Sequence, residues 1–432
     1  MINFPLVLGL LVFFESSVFG LTQDHSVPPP QPSEHEFLKS ENWNAFKPDF
    51  RLKRNVDFWV RIYSEVTSSQ GFIHDSKYID HVYEKVDFEQ EKENSSSFIK
   101  KRKSHWREVL FSVHKKQNRP ETMTQEERRI FELFEDVSEP NKFLNAAHRK
   151  RLRFQLGQKD RFLDGLYQSG AFLGFMEEIF KKQGLPLELT RLPFVESSFN
   201  LRARSKVGAS GVWQFMRSTA RLFIQVNSAV DERNDPVRAT EAAAQLLKDN
   251  YESLKSWPLA VTAYNHGRKG VMRAVRVVGS NDLEDLIKDY RSRSFGFASS
   301  NFFAELLAAI EVEKNSEKYF GKVERGQAFA FIEFQVPDFI ELKVLEEYLS
   351  LDPKQVRLFN PGLTDEVFAH TLLVPGGYFL RIPLASGVDP SSVQLDLQQK
   401  YSKIPSQLKL KAQRPTNYGR RLSTLKKTSK RR

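Results

Sequence analysis

The stretch Leu185–Ala220, LPLELTRLPFVESSFNLRARSKVGASGVWQFMRSTA, constrains the fold more than any other part of this 432-residue chain. Apolar side chains gather around Phe194, Val195 and Phe199. A polar segment broken by Gly208 and Gly211 follows, and a further helical run opens near Arg217. The pattern predicts helix, tight β-type turn, helix. Glu196 falls near the C-terminal end of the first helix, alone among Phe and Val, and is expected to face a cleft. A carboxyl in such surroundings loses solvation on ionising and holds its proton more tightly. That makes a general acid able to protonate a glycosidic oxygen as the bond breaks. The competing reading is a structural glutamate, capped or paired with Arg191 or Arg202.

Elsewhere the chain reads as mostly helical. Residues 58–143 are highly charged, with Trp59, Val60, Ile62 and Tyr63 marking one buried face, and Lys100–Lys103 reading as a solvated helix face. From Ala146 to Lys182, Phe154, Phe162, Leu163, Leu166, Phe172, Phe175 and Ile179 recur at helical spacing. Asp235 before Pro236 predicts a capped helix to Leu254. Leu259–Asn265 is a further helix with Gly267 at its C-terminal left-handed position, and Phe302–Glu313 is another. After Gly321 the pattern changes to strand (328–336), helix (342–351), helix (353–359) and strand (378–383).

The ordered motifs Glu196-Ser197, Ser205, Gly208-Ala209-Ser210-Gly211-Val212-Trp213-Gln214, Thr219-Ala220 and Ala263-Tyr264-Asn265-His266-Gly267 resemble the signature of the lytic murein transglycosylases, the SLT-domain family. The resemblance runs from about Phe58 to Pro383 and is densest between Gly184 and Ala309. It implies a fold related to goose-type lysozyme and one glutamate, Glu196, acting as acid and then base. The bond between N-acetylmuramic acid and N-acetylglucosamine is cleaved without water, leaving a 1,6-anhydromuramic acid end. By the same resemblance, Ser205 hydrogen-bonds the catalytic carboxyl, with a turn serine as the other reading. Gln214 helps bind substrate beside Glu196. Met216, near Trp213, is cleft floor or core. Tyr264 and Asn265 belong to the motif whose tyrosine hydroxyl reaches the catalytic or acetamido region, although a tyrosine there also serves as a plain buried aromatic. His266 reads as a surface or supporting residue. One departure stands out: Asn301-Phe302-Phe303-Ala304-Glu305 has phenylalanine where many relatives carry tyrosine, which implies another donor or slower turnover.

No Asp or Glu lies between Glu196 and Asp231. That agrees with a single-carboxylate mechanism, since ordinary glycosidases use a carboxylate pair, unless a distant acid folds into place. The expected fold class is mainly α: a goose-type-lysozyme-like catalytic domain over 146–321, a helical region over 58–145 before it, and a small α+β, LysM-like module over 326–385 after it. Phe4–Phe14 is an apolar run of signal-peptide length, too short to span a bilayer. A signal peptide over 1–20, with a retained anchor as the alternative, and a proline-bearing linker over 21–57 are expected, with export to the periplasm.

The formal charge of +11 is matched by eleven Lys and Arg after Ser402 with no acid among them, so the body is near neutral. Residues 386–432 read as a disordered basic tail, suited to anionic cell-wall polymer or membrane and not to specific nucleic-acid recognition. The chain lacks cysteine, which excludes disulfides and thiolate metal sites, and its nine His show no ligand spacing. No cofactor or metal is implied. The expected partner is the peptidoglycan glycan strand. The rival functions are a hydrolytic muramidase and a non-catalytic wall-binding protein.

Overall fold

The computed structural model describes residues 46–47, 50–89, 95–386 and 388–401. The expected signal peptide, most of the linker and the tail beyond 401 lie outside them. Lys53–Ser64 is the first helix of the described residues, α1, with Val56, Trp59, Ile62 and Tyr63 buried at helical spacing. The linker expected to reach 57 therefore stops earlier. Leu52 and Val56 enter a core, and residues 53–57 are the first turn of α1.

The region from 58 to 145 departs from an all-helical reading. Gln70–Asp75 (β1) pairs antiparallel with Val82–Asp87 (β2), and with Leu152–Leu156 (β3) on its other edge, in the order β2-β1-β3. Nearly all of β1 is buried, so it lacks the alternation that marks a half-exposed strand. Gly71 lets the backbones close: a Cβ there would lie 2.4 Å from the Gln155 carbonyl oxygen. Ser95–Lys116 (α2), Gln125–Leu133 (α3) and Lys142–Ala146 (α4) share a core with this sheet through Trp106, Leu110, Val113, Ile130 and Phe143. The helical run expected from Ala146 is likewise divided. Phe154 belongs to β3, and the helix proper, α5, is Lys159–Lys182.

The helical core carrying the site follows: Leu192–Ser197 (α6), Arg217–Ala220 (α7), Pro236–Leu254 (α8), Trp257–His266 (α9), Arg268–Val278 (α10), Leu283–Asp289 (α11) and Phe297–Lys314 (α12). Asp235 caps α8, accepting from the N–H groups of Val237 and Arg238 at 2.9 and 3.1 Å. α12 buries side chains around most of its circumference, as a helix packed among others must. Phe302, Phe303, Leu306, Leu307, Ala308 and Ala309 are all buried, and α1, α6 and α9 pack around it. The short helix Ser316–Phe320 (α13) ends this region.

Phe331–Gln335 (β4) and Phe379–Pro383 (β5) pair antiparallel. Between them lie Leu342–Tyr348 (α14), Pro353–Phe359 (α15) and Asp365–Phe368 (α16). Pro390–Tyr401 forms a last helix, α17, where disorder was expected from 386. Val393 and Leu397, one turn apart, are buried in the module's core, which gives that segment a reason to fold. The module grips the helical core. Ala229 and Val230 enter its cluster, and the Asp231 N–H donates to the Gly362 carbonyl at 2.7 Å. The Arg381 guanidinium is buried against Asp235 at 2.5 Å and Glu333 at 3.1 Å. Among the described residues, no helix is long and apolar enough to cross a membrane.

Candidate active site

Glu196 is the penultimate residue of α6. The helix stops at once, because Ser198 and Phe199 both adopt positive φ (51° and 55°) and turn the chain back. α5 permits this turn through Gly165, where a Cβ would lie 2.8 Å from the Ser198 carbonyl oxygen. Two residues before the acid, the Phe194 ring stacks on Phe162 at 4.7 Å and meets Phe199 at 4.6 Å. Ser197 donates to the Val212 carbonyl at 2.9 Å, tying the end of α6 to the glycine-broken turn.

That turn is held from beneath. Gly211 (φ +77°) lies so close to the next strand of chain that a Cβ would sit 1.7 Å from the Arg233 carbonyl oxygen. The buried Arg233 guanidinium forks onto Asp231 at 2.8 and 2.7 Å, and donates to the carbonyls of Gly208 (2.8 Å) and Phe215 (3.1 Å). The Trp213 indole donates to Thr240 Oγ1 at 2.8 Å and stacks on Phe180. With so many anchors the turn is a rigid frame and not a mobile loop.

The Glu196 carboxyl makes no hydrogen bond or ion pair among the described residues. Arg191, a candidate partner, is taken by Glu177 and by Glu313 at 3.2 Å. Burial pushes Glu196 up to about 8, although the residue keeps part of its surface open. An acid crowded by protein yet still reached by solvent is the electrostatic setting of a proton donor near neutral pH. Two part-open hollows lie away from Glu196: one of about 210 Å³ is bordered by Arg51, Asp282 and Glu284, and one of about 20 Å³ by Phe172, Phe329 and Phe359.

Tyr264, at the end of α9, donates to the Trp213 carbonyl at 2.8 Å, and its ring packs on Phe215 at 6.0 Å. Burial, then the neighbouring Glu196, holds its phenol well above the ordinary value. Gln214 has positive φ (48°), and its amide nitrogen donates to Ala203 (3.1 Å) and Gly211 (2.8 Å), leaving its oxygen for other partners. Ser205 Oγ accepts from the Ala209 N–H at 2.9 Å and makes no hydrogen bond to Glu196. Met216 is 42 % exposed, so it lies at the surface and not in the core. Asn265 is exposed, and its Oδ1 accepts from Ser299 at 3.2 Å; His266 Nδ1 meets the same hydroxyl at 3.1 Å. Tyr264 thus lies near Glu196 and is bonded to the Trp213 carbonyl of the turn. Gln214 and Ser205 belong to that turn, and Met216 and Asn265 are exposed.

Three residues of this neighbourhood were not singled out in the sequence. Glu305 of α12 is raised to about 8 by burial and then by Glu196. Its signal was faint: it is the sole charged residue between Phe295 and Glu311. In the sequence Tyr63 of α1 reads only as part of a buried face. Its phenol is pushed well up by burial, then by Glu305 and Glu196. Arg233, which holds the turn, carried no local signal.

Residues 175–287 match the transglycosylase SLT domain family. The chain is 26% identical over 244 residues to membrane-bound lytic murein transglycosylase D of Escherichia coli strain K12, covering 55% of this chain and 52% of that protein. A protein of Alteromonas sp. strain M-1 named for tributyltin chloride resistance is 33% identical over 106 residues, covering 24% of this chain and 51% of its own. The chain therefore spans about half the length of the curated relatives it matches. Among solved structures, an inactive mutant of lytic transglycosylase Slt from Pseudomonas aeruginosa aligns with 17% identity and a TM-score of 0.31, over 49% of this chain and 37% of that one. So remote a likeness carries no argument.

Proposed function

We propose, from the match of residues 175–287 to the transglycosylase SLT domain family, that the protein is an exported peptidoglycan lytic transglycosylase with Glu196 as its acid and base. The observation that carries this reading is the Glu196 carboxyl, crowded by apolar neighbours and without a cation, yet open on one side. In the first step Glu196 gives its proton to the glycosidic oxygen between N-acetylmuramic acid and N-acetylglucosamine. In the second the resulting carboxylate takes the proton of the muramic acid 6-hydroxyl, whose oxygen attacks the anomeric carbon of the same sugar. Water is not consumed, and Glu196 ends the cycle protonated.

The supporting roles follow from position. Tyr264 is fixed beside Glu196 by its bond to Trp213. Gln214 Oε1 and the remaining proton of Ser205 are free to meet sugar hydroxyls. Met216 and Asn265 offer exposed contacts. The C-terminal module from β4 to β5 is assigned the task of holding glycan. Mass spectrometry of muropeptides released from purified sacculi tests the reading, with 1,6-anhydro ends expected.

A second reading, hydrolysis, is favoured by one observation, the nearness of Glu305, because hydrolytic glycosidases use two carboxyls. Reducing muramic acid ends would establish it. Failure of the wild-type protein to release any glycan would overturn both.

A further inference from the structure

We propose that the hollow between the entry to α1 and the head of α11 is a glycan subsite apart from Glu196, which takes one uncharged pyranose residue. The inference deepens the reading of peptidoglycan as the substrate and rests on it for the identity of the sugar.

Segments far apart in the chain build the hollow. Arg51, just before α1, forks onto Asp282 at 3.2 and 2.9 Å, and the same Nη2 meets Glu284 at 3.3 Å. Asp282 is itself fixed, because its Oδ1 accepts from the Asp285 N–H at 3.1 Å and caps α11. The Phe46 ring lies 6.2 Å from Phe303 of α12 and 6.3 Å from Trp257 of α9, so the stretch of chain before α1 is tied to both helices. An ion pair, a helix cap and ring contacts hold these walls, as is usual of a site formed in advance of its ligand. The space between them is part-open and measures about 210 Å³.

The lining decides what fits. Leu283 and Phe303 give it apolar surface, and Lys47, Ser256 and Asn281 border it together with Arg51 and its two acids. Ser256 stands at the cap position of α9 yet makes no cap hydrogen bond. The Lys47 ammonium and the Asn281 amide likewise have no hydrogen bond or ion pair among the described residues. Three polar groups thus border the hollow with their bonding capacity unspent. Two cations, Lys47 and Arg51, stand against two carboxyls, Asp282 and Glu284, so no net charge selects an ion. An anion would meet the carboxyls as like charges, and a cation would meet Lys47 and Arg51 in the same way. A neutral molecule rich in hydroxyls meets neither obstacle. Carboxyl oxygens accept from its hydroxyls, the ammonium and the amide donate to them, and the Ser256 hydroxyl does either. The C–H face of a sugar ring suits the apolar surface of Phe303 and Leu283. Size agrees: a cavity of about 150 Å³ takes a benzene-sized ring, so this hollow admits one pyranose. In a peptidoglycan strand the residue of that description is N-acetylglucosamine, which has no ionisable group and carries no peptide.

The test uses the N-acetylglucosamine tetramer, added at millimolar concentration to the isotope-labelled full chain carrying Glu196→Gln, so that binding is read without turnover. The backbone amide resonances of Ser256, Asn281 and Leu283 are expected to shift. Ser256→Leu, which fills the hollow, should abolish those shifts. Asn281→Ala, at an exposed residue without a partner to lose, should weaken the binding they report by about three- to tenfold. Shifts confined to residues around Glu196, or no shifts, overturn the proposal, as does an affinity unchanged in both variants. Equal shifts with inorganic phosphate alone would mark an ion site and overturn the sugar assignment. A wild type that releases nothing from sacculi refutes the catalytic reading and leaves this binding result standing.

Discussion

Replacing Glu196 by Gln should separate stability from catalysis. The substitution keeps shape and hydrogen-bonding capacity but removes the titrating proton. In the folded protein Glu196 is raised from the ordinary 4.5 to about 8 by burial. At about 1.4 kcal/mol per pH unit, that displacement sets a ceiling of about 5 kcal/mol between its protonation states. Because the side chain keeps part of its surface in solvent, we expect about 1–3 kcal/mol to be observed. A carboxyl whose folded value is raised favours the folded state below its unfolded value, and that contribution is lost as pH rises through the folded value. Wild type and Glu196→Gln should therefore unfold at the same urea concentration below about pH 4.5. The variant should become progressively more stable than wild type up to about pH 8, after which the gap is constant. Over the same range its release of glycan should fall at least about a hundredfold, the share a general acid commonly carries. Urea titrations at pH 4, 6 and 9 with a sacculus assay on the same samples measure both. A stability gap independent of pH would refute the account of a desolvated acid. Unimpaired release would refute its catalytic assignment.

Gly211→Ala should cost about 3 kcal/mol or more and distort the turn, since its Cβ would lie 1.7 Å from the Arg233 carbonyl oxygen at a positive φ; urea denaturation measures the loss. Arg381→Met leaves Asp235 buried without its partner, and should cost about 3–5 kcal/mol by the same measurement. Tyr264→Phe removes the donor to the Trp213 carbonyl, and should cost about 1 kcal/mol while lowering glycan release.

The local pattern of the chain was legible wherever one segment determines its own shape. The end of α6 at Glu196, the Asp235 cap before Pro236, and β4, α14, α15 and β5 after Gly321 follow from caps, glycines and periodicity, whereas the short helix α16 between α15 and β5 does not. What could not be read depended on pieces far apart in the chain. β1 is buried over nearly its whole length and shows no alternation, so its neighbours β2 and β3 went unrecognised with it. Glu305 and Tyr63 look like one charge in an apolar helix and one aromatic on a buried face. Their surroundings are set by the packing of α1 on α12, which Asn55, Trp59 and Asn301 tie together from positions far apart in the chain. Arg233 is an ordinary arginine until the chain folds back over it to present the Gly208 and Phe215 carbonyls. α17 folds because a core is waiting for Val393 and Leu397, which composition alone could not reveal.

The segment around Ala229 and Val230 lies inside the C-terminal module, while Asp235, a few residues later, starts α8 and is gripped by Arg381 from that module. Four residues of chain therefore join two anchors, one inside the module and one at the head of α8. Lengthening the chain by even a residue between Val230 and Asp235 would shift the module against the cap of α8.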